Sequence, residues 1–106
     1  MPAEQQKGFE KKGKRLVVFL EGELDHGSAA GMRAEIDNQL RDRQITELVI
    51  DMGGLTFMDS SGIGLILGRY KLMASRNGRV LVSRPGRRLD KLLDISGVYD
   101  LVGRIS

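Results

Sequence analysis

The 106-residue chain is 41% hydrophobic and 29% charged, with a net charge of +3, the balance of one soluble globular domain. It contains no cysteine, which removes disulfides, thiolate metal sites and thiol catalysis, and His26 is its only histidine. A multi-histidine metal cluster is therefore excluded, and a Ser-His-Asp hydrolase would have this one base to draw on.

Apolar runs fall well short of a membrane span, and the opening "MPAEQQKGFEKKGKRL" has no apolar core of a signal peptide. A soluble cytoplasmic protein is expected, one domain over residues 1–106 with residues 1–7 as a loose N-terminal extension. The cluster Lys11, Lys12, Lys14 and Arg15 reads as a solvated terminus or strand edge.

In chain order, the segment from Gly8 to Lys12 is a candidate edge strand, folding back as a hairpin across Lys12-Gly13-Lys14. "RLVVFLEGEL" (Arg15 to Leu24) opens with a continuous apolar run, Leu16 to Leu20, and predicts a strand buried on both faces. Ala29, Met32, Ile36 and Leu40 then recur at helical spacing on an otherwise charged segment, with Ser28 as its N-cap. "TELVIDM" (Thr46 to Met52) predicts a core strand that ends in a loop through Gly53-Gly54.

A second helix is predicted from Ser61 to about Arg76 on the spacing of Ile63, Ile66, Leu67, Tyr70 and Ala74, closed by Asn77-Gly78. "RVLVS" (Arg79 to Ser83) is a further strand. Pro85 starts a third helix in which Leu89, Leu92, Leu93 and Ser96 share a face and Gly97 closes the end. The tail "VYDLVGRIS" stays open between a strand and a helical turn.

The order β-β-α-β-α-β-α argues for an α/β domain with a mixed, mainly parallel sheet packed against helices. Loops leaving the carboxyl ends of parallel strands open on one edge of such a sheet. Three qualify: one carrying Glu23, Asp25 and His26, one carrying Asp59 and Ser60, and one carrying Ser83 and Arg84. Asp25 and Ser60 become neighbours if the first two loops lie side by side, which depends on a strand order that periodicity does not give.

Two readings of Ser60 follow from its place at a helix start. Capping by Ser60 or Asp59 explains either residue without further function. A phosphate on Ser60 would also be tolerated there, because free backbone N–H groups and the helix dipole favour negative charge. Gly62, Gly64 and Gly68 match neither a dinucleotide fingerprint nor a P-loop; Gly64 and Gly68 read instead as a smooth face packing on the sheet.

Catalysis has thin support, since His26 adjoins Asp25 in sequence and no nucleophile elbow is present. Asp25, Asp51 and Asp59 are the residue types of a magnesium pocket, without the lysine such a pocket needs. Arg84, Arg87, Arg88 and Lys91 form a basic patch without interleaved aromatics, more a solvated helix face than a nucleic-acid site.

"GELDH" (Gly22 to His26) with "FMDSSGIGLILGRYK" (Phe57 to Lys71) and "RLDKLLDISGV" resembles the STAS family of anti-sigma factor antagonists, most of all its sporulation type serving the first forespore sigma factor. The resemblance implies a STAS fold and a regulatory protein that is not an enzyme. Its unphosphorylated form would bind an anti-sigma factor that is also a serine kinase, using ATP held by that partner, and so release the sigma factor. Ser60, the first serine of D-S-S-G, would be the phosphorylation site, and a PP2C-type phosphatase would restore the protein. Asp25, Asp59, Ser60, Ser61 and Gly62 would form the partner-binding surface, with no cofactor, metal, nucleic acid or membrane involved. The alternative within the family is a general-stress antagonist or a scaffold STAS protein. Gly27 and Ser28 depart from the more helix-prone residues expected there.

Overall fold

Along the second strand, Leu16, Val18 and Leu20 are buried while Arg15 and Phe19 are exposed. This alternation lays the strand on the core by one face only, not by both as the unbroken apolar run suggests. The computed structural model describes residues 8–106; the expected N-terminal extension lies outside them. In chain order the elements are β1 (Phe9–Lys12), β2 (Arg15–Leu24), α1 (His26–Gln39), β3 (Glu47–Met58), α2 (Ser60–Ala74), β4 (Arg79–Ser83), α3 (Gly86–Ile95), a 3₁₀ turn (Val98–Asp100) and β5 (Gly103–Arg104).

The five strands pair in sequence order, β1 antiparallel to β2 and every later pair parallel. Gly13, at φ 58°, turns the expected hairpin between Lys12 and Arg15. Ile36 and Leu40 from the α1 region, Leu65, Ile66 and Met73 of α2, and Leu89 and Leu93 of α3 join one cluster with Leu16, Val18, Leu48, Ile50, Val80 and Val82 of the sheet. The three helices thus share one face of the sheet. Among the described residues the other face carries no helix: there Glu47 is held by Arg15 and Arg79, and Asp51 by Arg84.

β3 does not end at Met52. It continues through Gly53-Gly54 to Met58 and stays paired with β2, with register shifts between Phe19 and Glu21 and between Gly22 and Glu23. The two glycines serve close approach in a bulged strand, not a turn. A Cβ on Gly53 would lie 2.5 Å from the Arg84 guanidinium, and one on Gly54 would lie 3.1 Å from the Leu20 carbonyl oxygen. The tail resolves into both options left open, the 3₁₀ turn and then β5, which pairs Leu81 with Gly103 and Val82 with Arg104.

Candidate functional site

Because β2 and β3 run side by side to their last residues, Leu24 and Met58 are register partners. The residues that follow, Asp25 and Asp59, therefore open two neighbouring helices. Asp25, not Ser28, is the N-cap of α1. Its Oδ1 accepts from the N–H groups of Gly27 at 2.9 Å and Ser28 at 3.0 Å, and Ser28 Oγ accepts from the Asp25 N–H at 3.0 Å. This reciprocal capping box gives Gly27 and Ser28, the two departures from the family pattern, a place in the first turn.

Asp59 caps α2 and reaches across to α1. Its Oδ1 accepts from the Ser61 N–H at 2.8 Å and its Oδ2 from the His26 N–H at 3.3 Å, while its own N–H donates to the Leu24 carbonyl at 3.3 Å. One carboxylate thus ties both helix starts together. Since Asp59 does the capping, the Ser60 hydroxyl is left exposed and without a hydrogen-bond partner among the described residues.

Ser61 is half-buried behind Ser60, and Gly62 is buried beneath the surface. A Cβ on Gly62 would stand 2.2 Å from Met58 Cγ and 3.1 Å from Leu24 Cδ2, so only glycine lets α2 start so close to the strand ends. Gly64 and Gly68 behave differently: a Cβ on either meets nothing within 4 Å. They do not pack on the sheet. They face an open groove between α1 and α2.

The third loop does not join this surface. β4 ends at Ser83, opposite Asp51, while β3 runs on to Met58, about 20 Å further at the usual rise per residue. Arg84 donates from Nε and Nη2 to Asp51 at 3.0 Å each, and Ser83 Oγ donates to Asp51 Oδ2 at 3.2 Å. Burial opposes ionisation of Asp51, but the hydrogen bonds from Arg84, the Gly53 N–H and Ser83 outweigh it and hold its carboxyl below the usual range. Asp25, Asp51 and Asp59 therefore never converge on one cation. Nor does a hydrogen bond join the His26 side chain to Ser60, so no nucleophile–base pair forms among the described residues.

A family model described as the STAS domain matches residues 2–106. The chain belongs to the STAS-domain family. A curated relative of this STAS domain, the anti-sigma F factor antagonist of Paenibacillus polymyxa, is 40% identical over 87 residues, 82% of this chain and 74% of the relative. Among solved structures, the Bacillus cell fate determinant SpoIIAA in its phosphorylated form superposes with a TM-score of 0.73 at 30% identity, covering 92% of this chain and 89% of that one. The anti-sigma factor antagonist SpoIIAA in its unphosphorylated form gives a TM-score of 0.74 at 28% identity, covering 92% and 86%.

Two features of this STAS domain escaped periodicity. Phe57, register partner of Glu23 and three residues before Ser60, is 46% exposed beside the paired helix starts. Arg69 is buried although charged. Its signal was present: it lies three residues after Ile66 and four before Met73, at a position of the apolar stripe. Among the described residues no helix is long and apolar enough to cross a membrane.

Proposed function

We propose that this STAS domain is an anti-sigma factor antagonist working in the cytoplasm, switched by phosphorylation of Ser60. Unphosphorylated, it binds an anti-sigma factor with serine kinase activity and so frees the sigma factor. Asp25, Asp59, Ser60 and Ser61 form the docking surface, and Gly62 contributes from below by letting α2 begin against the strand ends. The observation that carries the reading is the exposed, unpartnered Ser60 hydroxyl, set at paired helix starts that Asp59 and Asp25 already cap. The relatives, named as antagonists of anti-sigma factors and including SpoIIAA solved in both phosphorylation states, support the same reading.

The partner supplies ATP and the catalytic groups. Ser60 Oγ attacks the γ-phosphorus, the bond to the bridging β–γ oxygen breaks, the hydroxyl proton passes to a base of the kinase, and ADP leaves. The product carries about −1.5 to −2 additional charge beside two carboxylates. The two helix N-termini stabilise that charge, so the domain stays folded. At an interface, like-charge juxtaposition costs several kcal/mol, and a hundredfold loss of affinity needs only about 2.8 kcal/mol. A PP2C-type phosphatase then directs water onto the phosphorus, releasing inorganic phosphate and restoring the hydroxyl.

Incubation with the cognate anti-sigma kinase and labelled ATP tests the assignment. Label on the wild-type protein and none on Ser60→Ala is expected. Label persisting on Ser60→Ala would contradict the site.

A further inference from the structure

Arg69 is 7% exposed, on the face of α2 that also buries Leu65, Ile66 and Met73. Its Nε stands 3.1 Å from Asp37 Oδ1, a charge contact by distance that lacks hydrogen-bond geometry, and its Nη1, also buried, has no hydrogen-bond partner among the described residues. Asp37 is shared with Arg33, whose Nε lies 3.8 Å from Oδ2. Burial, with Arg33 nearby, lowers the Arg69 pKa, and the Asp37 charge offsets this only in part. A buried donor left unmade costs free energy, so an arginine held in this way has an acceptor still to find.

Arg69 also lines the groove between α1 and α2, an open volume of about 430 Å³. Small residues, Ala29, Ala30, Gly64 and Gly68, line it, and the space over both glycines is empty. Its full charges come from two cations, Arg33 and Arg69, and the nearby carboxylate, Asp37, is already divided between them. The groove includes His26 and Ser61, the residues next to Asp25 and Ser60, so it is continuous with the switch surface.

From this arrangement we infer that the α1–α2 groove seats an acidic side chain of the anti-sigma partner. Its carboxylate pairs with the edge of the Arg69 guanidinium left accessible and faces Arg33, and the small residues admit its apolar stem. This deepens the function proposed above and rests on it: phosphorylation at Ser60 breaks the contact at the mouth of a surface whose attractive half lies in the groove. Charge complementarity and continuity with the Ser60 surface favour a protein carboxylate over a free anion.

The absence of cysteine makes the groove directly addressable. Gly68→Cys places a single thiol where a Cβ has room, and Lys91→Cys on exposed α3 serves as the control. The rate of maleimide labelling is measured with and without saturating anti-sigma kinase, and with sodium acetate alone. The kinase should slow labelling of the Gly68→Cys protein at least tenfold and leave the Lys91→Cys protein unchanged. Arg69→Met should bind the kinase about tenfold more weakly, with a flatter salt dependence, and Arg69→Lys should recover part of the loss. Should Arg69→Met fail to fold, the exposed Arg33→Gln carries the same test, with a loss of about threefold.

Unchanged labelling of Gly68→Cys by a kinase that binds wild type but not Ser60→Asp overturns the groove inference and leaves the switch standing. Protection together with full binding by Ser60→Asp does the reverse. Protection with undiminished binding by Arg69→Met and Arg33→Gln removes the carboxylate seat, as does protection by acetate and not by the kinase.

Discussion

The Asp59 carboxylate accepts the backbone N–H of His26 at 3.3 Å while capping its own helix at Ser61, 2.8 Å away. Two helices that start on different strands are therefore held at a common level by one side chain. That bond places the DSSG serine beside the α1 start, and it also frees the Ser60 hydroxyl from capping.

Loss of this carboxylate should weaken the fold modestly. Asp59→Ala should destabilise by about 1–2 kcal/mol, the usual scale for a removed N-cap, read from urea unfolding midpoints. Asp59→Asn keeps one acceptor oxygen and should recover more than half of that loss. Equal stability of Asp59→Ala and wild type would show that the bridge holds nothing.

The glycines of α2 should respond in opposite directions. Gly62→Ala drives a methyl group into Met58 and Leu24 and should cost about 1–3 kcal/mol, as overpacking does. Gly64→Ala meets open space inside a helix and should stabilise by up to about 1 kcal/mol. Thermal unfolding of the two variants beside wild type decides the matter.

Phe57 leaves nearly half its surface in water beside Ser60, so Phe57→Ser should change folding stability by less than about 0.5 kcal/mol. As an exposed aromatic beside the proposed docking surface it should matter more to binding, with affinity for the anti-sigma kinase falling about tenfold, the loss expected of a contact worth more than about 1 kcal/mol. Calorimetric titration of the variant against the kinase reads this directly.

Acid should act on the opposite face of the sheet. The folded-state pKa of Asp51 is depressed, so its contribution is present above the unfolded carboxylate pKa, near 4, and is lost as pH falls through the folded value. Denaturant midpoints measured from pH 7 to pH 3 should fall less steeply for Asp51→Asn than for wild type. Parallel curves would show that the Arg84 pair is silent.

Much of this architecture was legible because burial imposes a period. The stripe of Met32, Ile36 and Leu40 gave α1, that of Ile66 and Tyr70 gave α2, and Gly13 marked the hairpin. What stayed hidden depended on partners distant in sequence. Gly53-Gly54 reads locally as a turn, yet pairing with β2 keeps it in the strand, where the Arg84 guanidinium and the Leu20 carbonyl oxygen crowd the space of a Cβ. β5 exists only through pairing with β4. Ser28 looked like the N-cap of α1 because the apolar stripe begins just after it, whereas Asp25 performs that role with Ser28 as its reciprocal partner. The adjacency of Asp25 and Ser60 waited on strand order, and Arg69 was hidden because a charge at a stripe position does not by itself reveal whether it is buried.

The central claim is that phosphate on Ser60 changes binding and leaves folding alone. Titration of the anti-sigma kinase with the stoichiometrically phosphorylated and unphosphorylated proteins, each first checked for its unfolding midpoint, tests it most directly. The account predicts an affinity at least about a hundredfold weaker for the phosphoprotein, a difference of about 2.8 kcal/mol, with midpoints that coincide. Equal affinities would contradict it, and so would a loss of binding accompanied by unfolding of the domain.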